Sequence, residues 1–284
     1  MSGLDLDSTE LDRYSRHIFL DRVGVDGQAA LLDASVLVIG AGGLGSPIIQ
    51  YLAAAGIGTL GIADNDTVER SNLQRQIIHR DEDIGRPKAE SATAFVKDLN
   101  PGIDVNSHNE RITPETISSF LESYDVVVDG SDNFETRYLV NDACTLANGP
   151  FCHGSIFQFE GQATTFTGSE EAPCYRCIFP EAPPDGVVPD CSTAGVLGVL
   201  PGVIGCIQAT ETVKIILDEG DLLDGRLLFY DALGMTFDTV EIRPRPDCPV
   251  CSDDPRIASV EDVEYTGSCA VGTREDHSPA TVTD

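Results

Sequence analysis

Ala34-Ser35-Val36-Leu37-Val38-Ile39-Gly40-Ala41-Gly42-Gly43-Leu44-Gly45 is the stretch that decides the fold. Its first half is a nearly continuous apolar run ending in glycine, the pattern of a strand buried on both faces of a parallel sheet. Its glycine-rich second half leads into residues 46–55, which read as a helix. Upstream, residues 8–32 read as helical with a break at Gly24. Downstream, strand and helix alternate: strand 59–63 ending at Asp64, helix 87–99 with Pro87 in its first turn, and a weaker strand at 103–107. Helix 113–122, opened by Thr113-Pro114, is followed by strand 124–129 and helix 135–148. This alternation predicts an α/β fold, a Rossmann-like doubly wound sheet that is mostly parallel. After Phe151 the pattern changes. Residues 155–159 and 162–167 alternate around Gly161, and 226–230 and 236–242 read as strands that extend the sheet with antiparallel pairing. Residues 194–217 carry Gln208, Glu211 and Lys214 and read as a buried amphipathic helix, not a membrane span. One folded unit is expected over 1–252 and an acidic, flexible tail over 253–284.

Of the 284 residues, 47 are Asp or Glu and 18 are Lys or Arg, a formal net charge of −29. Only Lys88, Lys97 and Lys214 are lysines. With 41 % hydrophobic residues the chain can build an ordinary core. Such acidity argues against nucleic acid as a partner, because binding phosphate chains needs a basic face. An acidic coat with almost no lysine fits a salt-rich cytoplasm, where screening weakens the repulsion, and activity is expected to rise with salt. The N-terminal MSGLDLDSTE has neither the basic nor the apolar region of a secretory signal, so a cytoplasmic location is expected. There the nine cysteines are thiols, metal ligands or nucleophiles rather than structural disulfides.

Gly40, Gly42, Gly43 and Gly45 lie between a predicted strand and a predicted helix. Glycines let the backbone turn tightly against a phosphate, and the helix N-terminus adds amides and positive dipole. Asp64, 19 residues after Gly45, stands where a carboxylate accepts ribose hydroxyls. This much suits an NAD-dependent oxidoreductase, or a plain βα turn. Three further blocks change the balance: Ser71-Asn72-Leu73-Gln74-Arg75-Gln76, Gly85-Arg86-Pro87-Lys88 and Gly130-Ser131-Asp132-Asn133. Two cations and an acid-amide pair around phosphates serve the breaking of a triphosphate. Arg75 and Lys88 can neutralise developing charge, and Asp132 can hold Mg2+. Singly, each residue reads as a surface charge or a helix cap.

In order, the glycine loop, the block Asp64 to Gln76, the Gly-Arg-Pro-Lys block and the Asp-Asn pair resemble the ubiquitin-activating-enzyme superfamily, specifically its MoeB/ThiF branch. The likeness runs from about Leu11 to Cys251. It implies an ATP-dependent adenylyltransferase that activates the C-terminal glycine of a ubiquitin-like or sulfur-carrier protein ending in Gly-Gly. It also implies that Gly43 lies against the ATP phosphates and Asp64 at the ribose. Asn72 and Arg75 would meet phosphates, with Ser71, Leu73 and Gln74 beside them in the cofactor site, Lys88 would stabilise the α-phosphate, and Asp132 would serve Mg2+ beside Asn133. Arg13-Tyr14-Ser15-Arg16-His17 resembles the motif whose second arginine reaches ATP in the partner of a homodimer, which makes Arg16 the candidate for an arginine supplied in trans.

Cys174-Tyr175-Arg176-Cys177 and Cys248-Pro249-Val250-Cys251 are two CxxC knuckles. Four thiolates in two such pairs suit a tetrahedral, structural Zn2+, with a redox dithiol as the competing reading. The MoeB/ThiF resemblance implies zinc here. Cys191 precedes Ser192-Thr193-Ala194-Gly195, where the long helix is expected to begin, and a helix N-terminus lowers a thiol's pKa. The family's C-x-T-A-G-V motif matches Cys191 to Val196 and implies a thioester or persulfide-derived link to the carrier. Cys144, Cys152 and Cys206 read as buried small hydrophobes. Too few residues follow Cys251 for a rhodanese domain, so a sulfur donor (rhodanese or cysteine desulfurase) is expected to be separate. The remaining alternatives are the oxidoreductase, the tRNA-modifying dehydratase branch of the superfamily and a non-catalytic zinc scaffold.

Overall fold

The computed structural model describes residues 6–169, 171–182 and 194–265. In β1 (Ser35–Ile39) successive side chains alternate between faces. Val36 and Val38 join one buried cluster and Leu37 and Ile39 the other, which is why the run is apolar throughout. β2 (Thr59–Ala63) pairs parallel on one side, with Val36 opposite Leu60, and β4 (Val126–Asp129) pairs parallel on the other, with Val36 opposite Val126. β3 (Asp104–His108) adds parallel outside β2, and β5 (Phe151–Phe157) adds parallel outside β4. β6 (Glu160–Phe166), β7 (Arg226–Asp231) and β8 (Thr236–Glu241) then continue antiparallel. The eight-stranded order is β3-β2-β1-β4-β5-β6-β7-β8, the parallel sheet with an antiparallel C-terminal extension that the sequence predicts.

The N-terminal helical region divides into α1 (Ser8–Arg13), α2 (Ser15–Ile18) and α3 (Gly24–Asp33), with the expected break at Gly24, whose φ is +58°. On the Val36/Val38 face, α4 (Gly45–Ala55), α5 (Lys88–Leu99) and α9 (Leu200–Leu217) contribute Ile48, Val96 and Ile204. On the Leu37/Ile39 face, α6 (Pro114–Leu121) and α7 (Phe134–Leu146) contribute Ile117 and Leu139. Thr113 caps α6 with Pro114 in its first turn, and Asn133 Oδ1 caps α7 by accepting from Thr136 N at 2.8 Å. Helix α9 is long and apolar enough to cross a membrane by length and composition. Here it packs on the sheet. Gln208 Nε2 donates to the Asp129 carbonyl at 2.7 Å, and Glu211 Oε2 accepts from Thr165 Oγ1 at 2.9 Å and Leu223 N at 2.6 Å.

Three expectations are corrected. The strand placed at 155–159 begins at Phe151, because Phe151 pairs parallel with Val127 while the same strand pairs antiparallel with β6. Its turn therefore falls at Gln158 and Phe159. Gly161 lies inside β6, where a Cβ would come within 2.5 Å of Ile204. The helix expected from 194 begins at Leu200, since Val196 instead bridges to Gln158 and Pro201 occupies the first turn of α9. Cys191, whose thiol is read against the start of that helix, lies outside the described residues. Packing also extends past residue 252: Val260 is buried, and the Tyr265 hydroxyl donates to Asp142 Oδ2 at 3.0 Å.

Candidate active site

β1 is flanked by β2 and β4, so the strand order reverses there, and a crevice forms beyond the carboxyl ends of the strands. It encloses a cavity of about 560 Å³, in the size range of small-molecule sites. The glycine loop forms one wall. Gly40 has φ +92°, and a Cβ on it would lie 2.8 Å from the Gly130 carbonyl oxygen. A Cβ on Gly45 would lie 1.8 Å from the Gly40 carbonyl oxygen, so the turn from β1 into α4 closes only with glycine at both positions. Ser46 Oγ donates to the Gly42 carbonyl at 2.7 Å. Below the loop, buried His79 Nε2 donates to the Ala41 carbonyl and Nδ1 accepts from Ser91 Oγ, each at 2.9 Å. Burial pushes the His79 pKa below the usual histidine value, with the Ala41 carbonyl opposing, so the ring works as a neutral brace.

Charged side chains converge on this wall from four loops. Asp64, just past β2, accepts from Ala41 N through Oδ2 and from Asp66 N through Oδ1, each at 2.8 Å. Burial raises its pKa above the ordinary carboxylate value, against the pull of Lys88 and the two amides. Lys88 is the first residue of α5 and only 6 % exposed, yet its ammonium reaches the cavity and pairs with Asp66 Oδ2 at 2.8 Å. Arg75 also lines the cavity, its guanidinium donating to Asn72 Oδ1 at 3.3 Å and to the Ser71 carbonyl at 3.4 Å. Asp132 and Asn133 arrive from the loop after β4.

The structure thus brings Gly40, Gly42, Gly43, Asp64, Arg75, Lys88, Asp132 and Asn133 to one cavity. Gly45 supports the loop from behind, and the Asn133 side chain is committed to capping α7. Ser71, Asn72, Leu73 and Gln74 do not line the cavity. Asn72 instead orients Arg75, Ser71 Oγ donates to Glu69 Oε2 at 3.2 Å, and Gln74 packs so closely on Gly198 that a Cβ there would meet the Gln74 carbonyl at 2.4 Å. Arg16, on α2, is exposed and outside this cavity. Sequence reasoning missed Arg137 and the Arg111–Glu135 pair, which line the cavity, the pair at 2.6 Å. Arg137 lies over the Phe134 ring, 5.4 Å from its centroid, and donates to the Ser131 carbonyl at 3.3 Å. It sits one turn into α7 after the capping Asn133, and nothing local in the sequence sets it apart from other helix arginines.

The four knuckle cysteines form the second cluster. Their sulfurs lie within 4.8 Å of one another, with Cys174–Cys248 at 3.5 Å and Cys177–Cys251 at 3.3 Å. A tetrahedral zinc with bonds of about 2.3 Å fits a cage of this size, whereas disulfides would need far closer sulfurs. The Arg245 amide donates to Cys177 Sγ at 3.4 Å, a contact suited to a thiolate.

A family model described as the ThiF family matches residues 14–250. The chain belongs to the ThiF family. It is 59 % identical over 268 residues to the SAMP-activating enzyme E1 of Haloferax volcanii, covering 94 % of this chain and 98 % of that one. It is 48 % identical over 266 residues to the sulfur carrier protein adenylyltransferase of Thermus thermophilus, covering 92 % and 97 %. Among solved structures, E. coli MccB with ATP superposes with a TM-score of 0.72 at 23 % identity, over 87 % of this chain and 75 % of that one, a likeness of fold. In this ThiF-family chain the cavity offers cations, a helix N-terminus and carboxylates, and no cysteine lines it among the described residues. Such a set aligns a polyphosphate and neutralises charge rather than supplying a nucleophile.

Proposed function

We propose that the chain adenylates the C-terminal glycine of a ubiquitin-like or sulfur-carrier protein, releasing pyrophosphate. The observation that carries this reading is the convergence of Arg75, Lys88, Asp64 and Asp132 on a glycine-loop cavity in a ThiF-family chain. The names of its relatives, a SAMP-activating enzyme and a sulfur carrier protein adenylyltransferase, support it.

ATP lies with its ribose toward Asp64 and its phosphates along Gly42, Gly43 and the start of α4. A carrier carboxylate, ionised at neutral pH, attacks the α-phosphorus. The new acyl–oxygen–phosphorus bond forms as the bond to the β-phosphate oxygen breaks, and the electron pair leaves with pyrophosphate. No side-chain base is required. Lys88 and Arg75 neutralise charge on the phosphates, joined by Arg137, which lines the same cavity. Each is assigned about 2.7–4 kcal/mol of transition-state stabilisation. Asp132 is the residue to hold Mg2+, which supplies charge neutralisation on the phosphates when bound. Cys174, Cys177, Cys248 and Cys251 would hold a structural Zn2+.

Three further assignments belong to this reading. The enzyme is a cytoplasmic homodimer in which Arg16, exposed and outside its own cavity, serves the partner's site. Transfer through Cys191 as a thioester or persulfide-derived link rests on its sequence motif. Sulfur comes from a separate donor. The test is ATP–pyrophosphate exchange with a Gly-Gly-terminated carrier. Exchange should require the carrier and yield a carrier-AMP mass, and exchange independent of carrier would refute the assignment.

A further inference from the structure

β4 ends on an ionisable residue in the middle of the sheet. Asp129 is completely buried, and the parallel register of β4 and β5 sets His153 beside it as its Cα partner. Both side chains lie on the Leu37/Ile39 face, since Val127 and Phe151, two residues earlier on each strand, belong to that cluster. There His153 Nδ1 donates to Asp129 Oδ2 at 2.8 Å. The Tyr175 ring, on α8 (Tyr175–Ile178), meets the imidazole in an edge contact with centroids 4.9 Å apart. The Asp129 main chain is held as well, through the bond from Gln208 to its carbonyl.

The other carboxylate oxygen reaches into the site. Asp129 Oδ1 accepts from Ser131 N at 3.0 Å and from Ser131 Oγ at 2.6 Å, an Asx turn that curls the chain just before Asp132 and Asn133. The Ser131 carbonyl in turn receives Arg137 Nη2 at 3.3 Å. Within the turn, the Gly130 amide donates to the Ile39 carbonyl at 2.9 Å, and the Gly130 carbonyl is the group that a Cβ on Gly40 would meet. The loop after β4 therefore rests on the glycine loop, and a shift in one is felt by the other.

The order of the three groups decides their role. Ser131 Oγ donates to the carboxylate and not to the imidazole, so no base activates it as a nucleophile. With both oxygens bonded the Asp129 carboxylate has one pose, and so has the turn it holds. Without His153 it would keep a buried valence open and could swing away from Ser131. His153 itself does not line the cavity, so its influence on a bound nucleotide passes through that turn.

We propose that His153 is a positioning residue for the nucleotide site, fixing through Asp129 the turn that carries Ser131 and Asp132 and receives Arg137. The inference rests on the adenylation reading and deepens it.

The test compares the wild-type chain with His153→Leu and His153→Asn. Leucine fills the space without a donor, and asparagine returns an N–H close to the place of Nδ1. His153→Leu should weaken ATP affinity, measured by calorimetry with Mg2+, and lower kcat for carrier-dependent exchange, each about tenfold, with the KM for the carrier unmoved. His153→Asn should recover most of both. In the ligand-free chain, amide hydrogen exchange at residues 130–133 should quicken in His153→Leu and return toward wild type in His153→Asn, with β1 and β2 equally protected in all three. Wild-type ATP affinity in His153→Leu, or a His153→Asn chain as impaired as His153→Leu, would overturn the proposal. Should His153→Leu fail to fold, Ser131→Ala breaks the next link while His153 and Asp129 stay paired. Its 130–133 amides should exchange faster without ligand, and amides protected as in the wild type would overturn the relay. A wild-type chain with no carrier-dependent exchange would instead sink the adenylation reading, and ATP affinity and amide exchange would still judge His153, so the two failures are separable.

Discussion

In the glycine-loop cavity, charged groups from the loops after β2 and β4 and from the first turns of α5 and α7 meet around the loop that follows β1. In the cysteine cluster, two short motifs place four sulfurs so that they face one another within 4.8 Å. The first arrangement leaves Arg137 Nε without a partner and Lys88 buried beside one exposed aspartate, a state that suits an incoming anion. The second is a cage whose four sulfurs face one another. One region is built to bind and release, the other to hold. Perturbing the cage should therefore alter stability first, and perturbing the cavity should alter chemistry with stability nearly unchanged.

Cys248→Ser is the harshest test of that division. A structural zinc site in a small peptide supplies about 10–16 kcal/mol of apparent binding energy. Removing one thiolate should abolish stoichiometric metal, measured by elemental analysis, and lower the melting temperature more than any single substitution in the cavity. An unchanged melting temperature would mean that the cysteines do not hold the C-terminal strands.

Arg176→Met comes next and probes how the cage is joined to the core. Arg176, inside the first knuckle, forms a buried two-point ion pair with Asp142, at 2.7 Å through Nε and 2.6 Å through Nη2. The Tyr138 ring packs on it at 4.6 Å. Leaving Asp142 buried without its cation should cost about 3–5 kcal/mol, read from urea unfolding. The Asp142→Asn, Arg176→Met pair should recover part of this, because no unpaired charge remains.

For the cavity, Lys88→Ala should lower carrier-dependent pyrophosphate exchange by about 10²–10³, equivalent to about 2.7–4 kcal/mol, with a small change in melting temperature. Normal exchange without this ammonium would remove Lys88 from the site and blur the contrast with the cage.

Much of this division was legible in the sequence, for particular reasons. The run Val36–Ile39 is apolar at every position because β1 is covered on both faces, so periodicity could not mislead. The glycines at 40 and 45 announce backbone contacts that admit no Cβ, and the CxxC pairs carry their own geometry. What was not legible depends on tertiary neighbours. Phe151 serves a parallel and an antiparallel partner at once, and no local pattern records that. The start of α9 is displaced to Leu200 because Val196 is drawn to Gln158. Arg137 looked like any helix arginine until the Asp132–Asn133 loop turned α7 toward the cavity.

The smallest predicted effect separates the two regions by pH. His79 braces the glycine loop and His153 backs the Asp129 carboxylate, and burial lowers the pKa of both below the free histidine value, against the Ala41 carbonyl and Asp129 respectively. Both therefore fold as neutral rings. Below about pH 6.5 the unfolded chain takes up protons that the folded chain does not, so stability present above that pH is lost as pH falls toward the folded pKa values. Each histidine can contribute at most about 1.4 kcal/mol per pH unit across this window. Asp64 opposes the trend: burial raises its pKa, so the folded state gains a proton sooner than the unfolded and is favoured as pH falls. Its window lies at the lower, carboxylate end, so the histidines dominate between about pH 7.5 and 5.5. The urea midpoint should fall across that interval in the wild type and fall less in His79→Gln, which keeps a donor for the Ala41 carbonyl. A slope unchanged by His79→Gln would show that the loop's brace does not titrate there, and would leave the pH response to His153 and to His108, whose pKa burial also lowers.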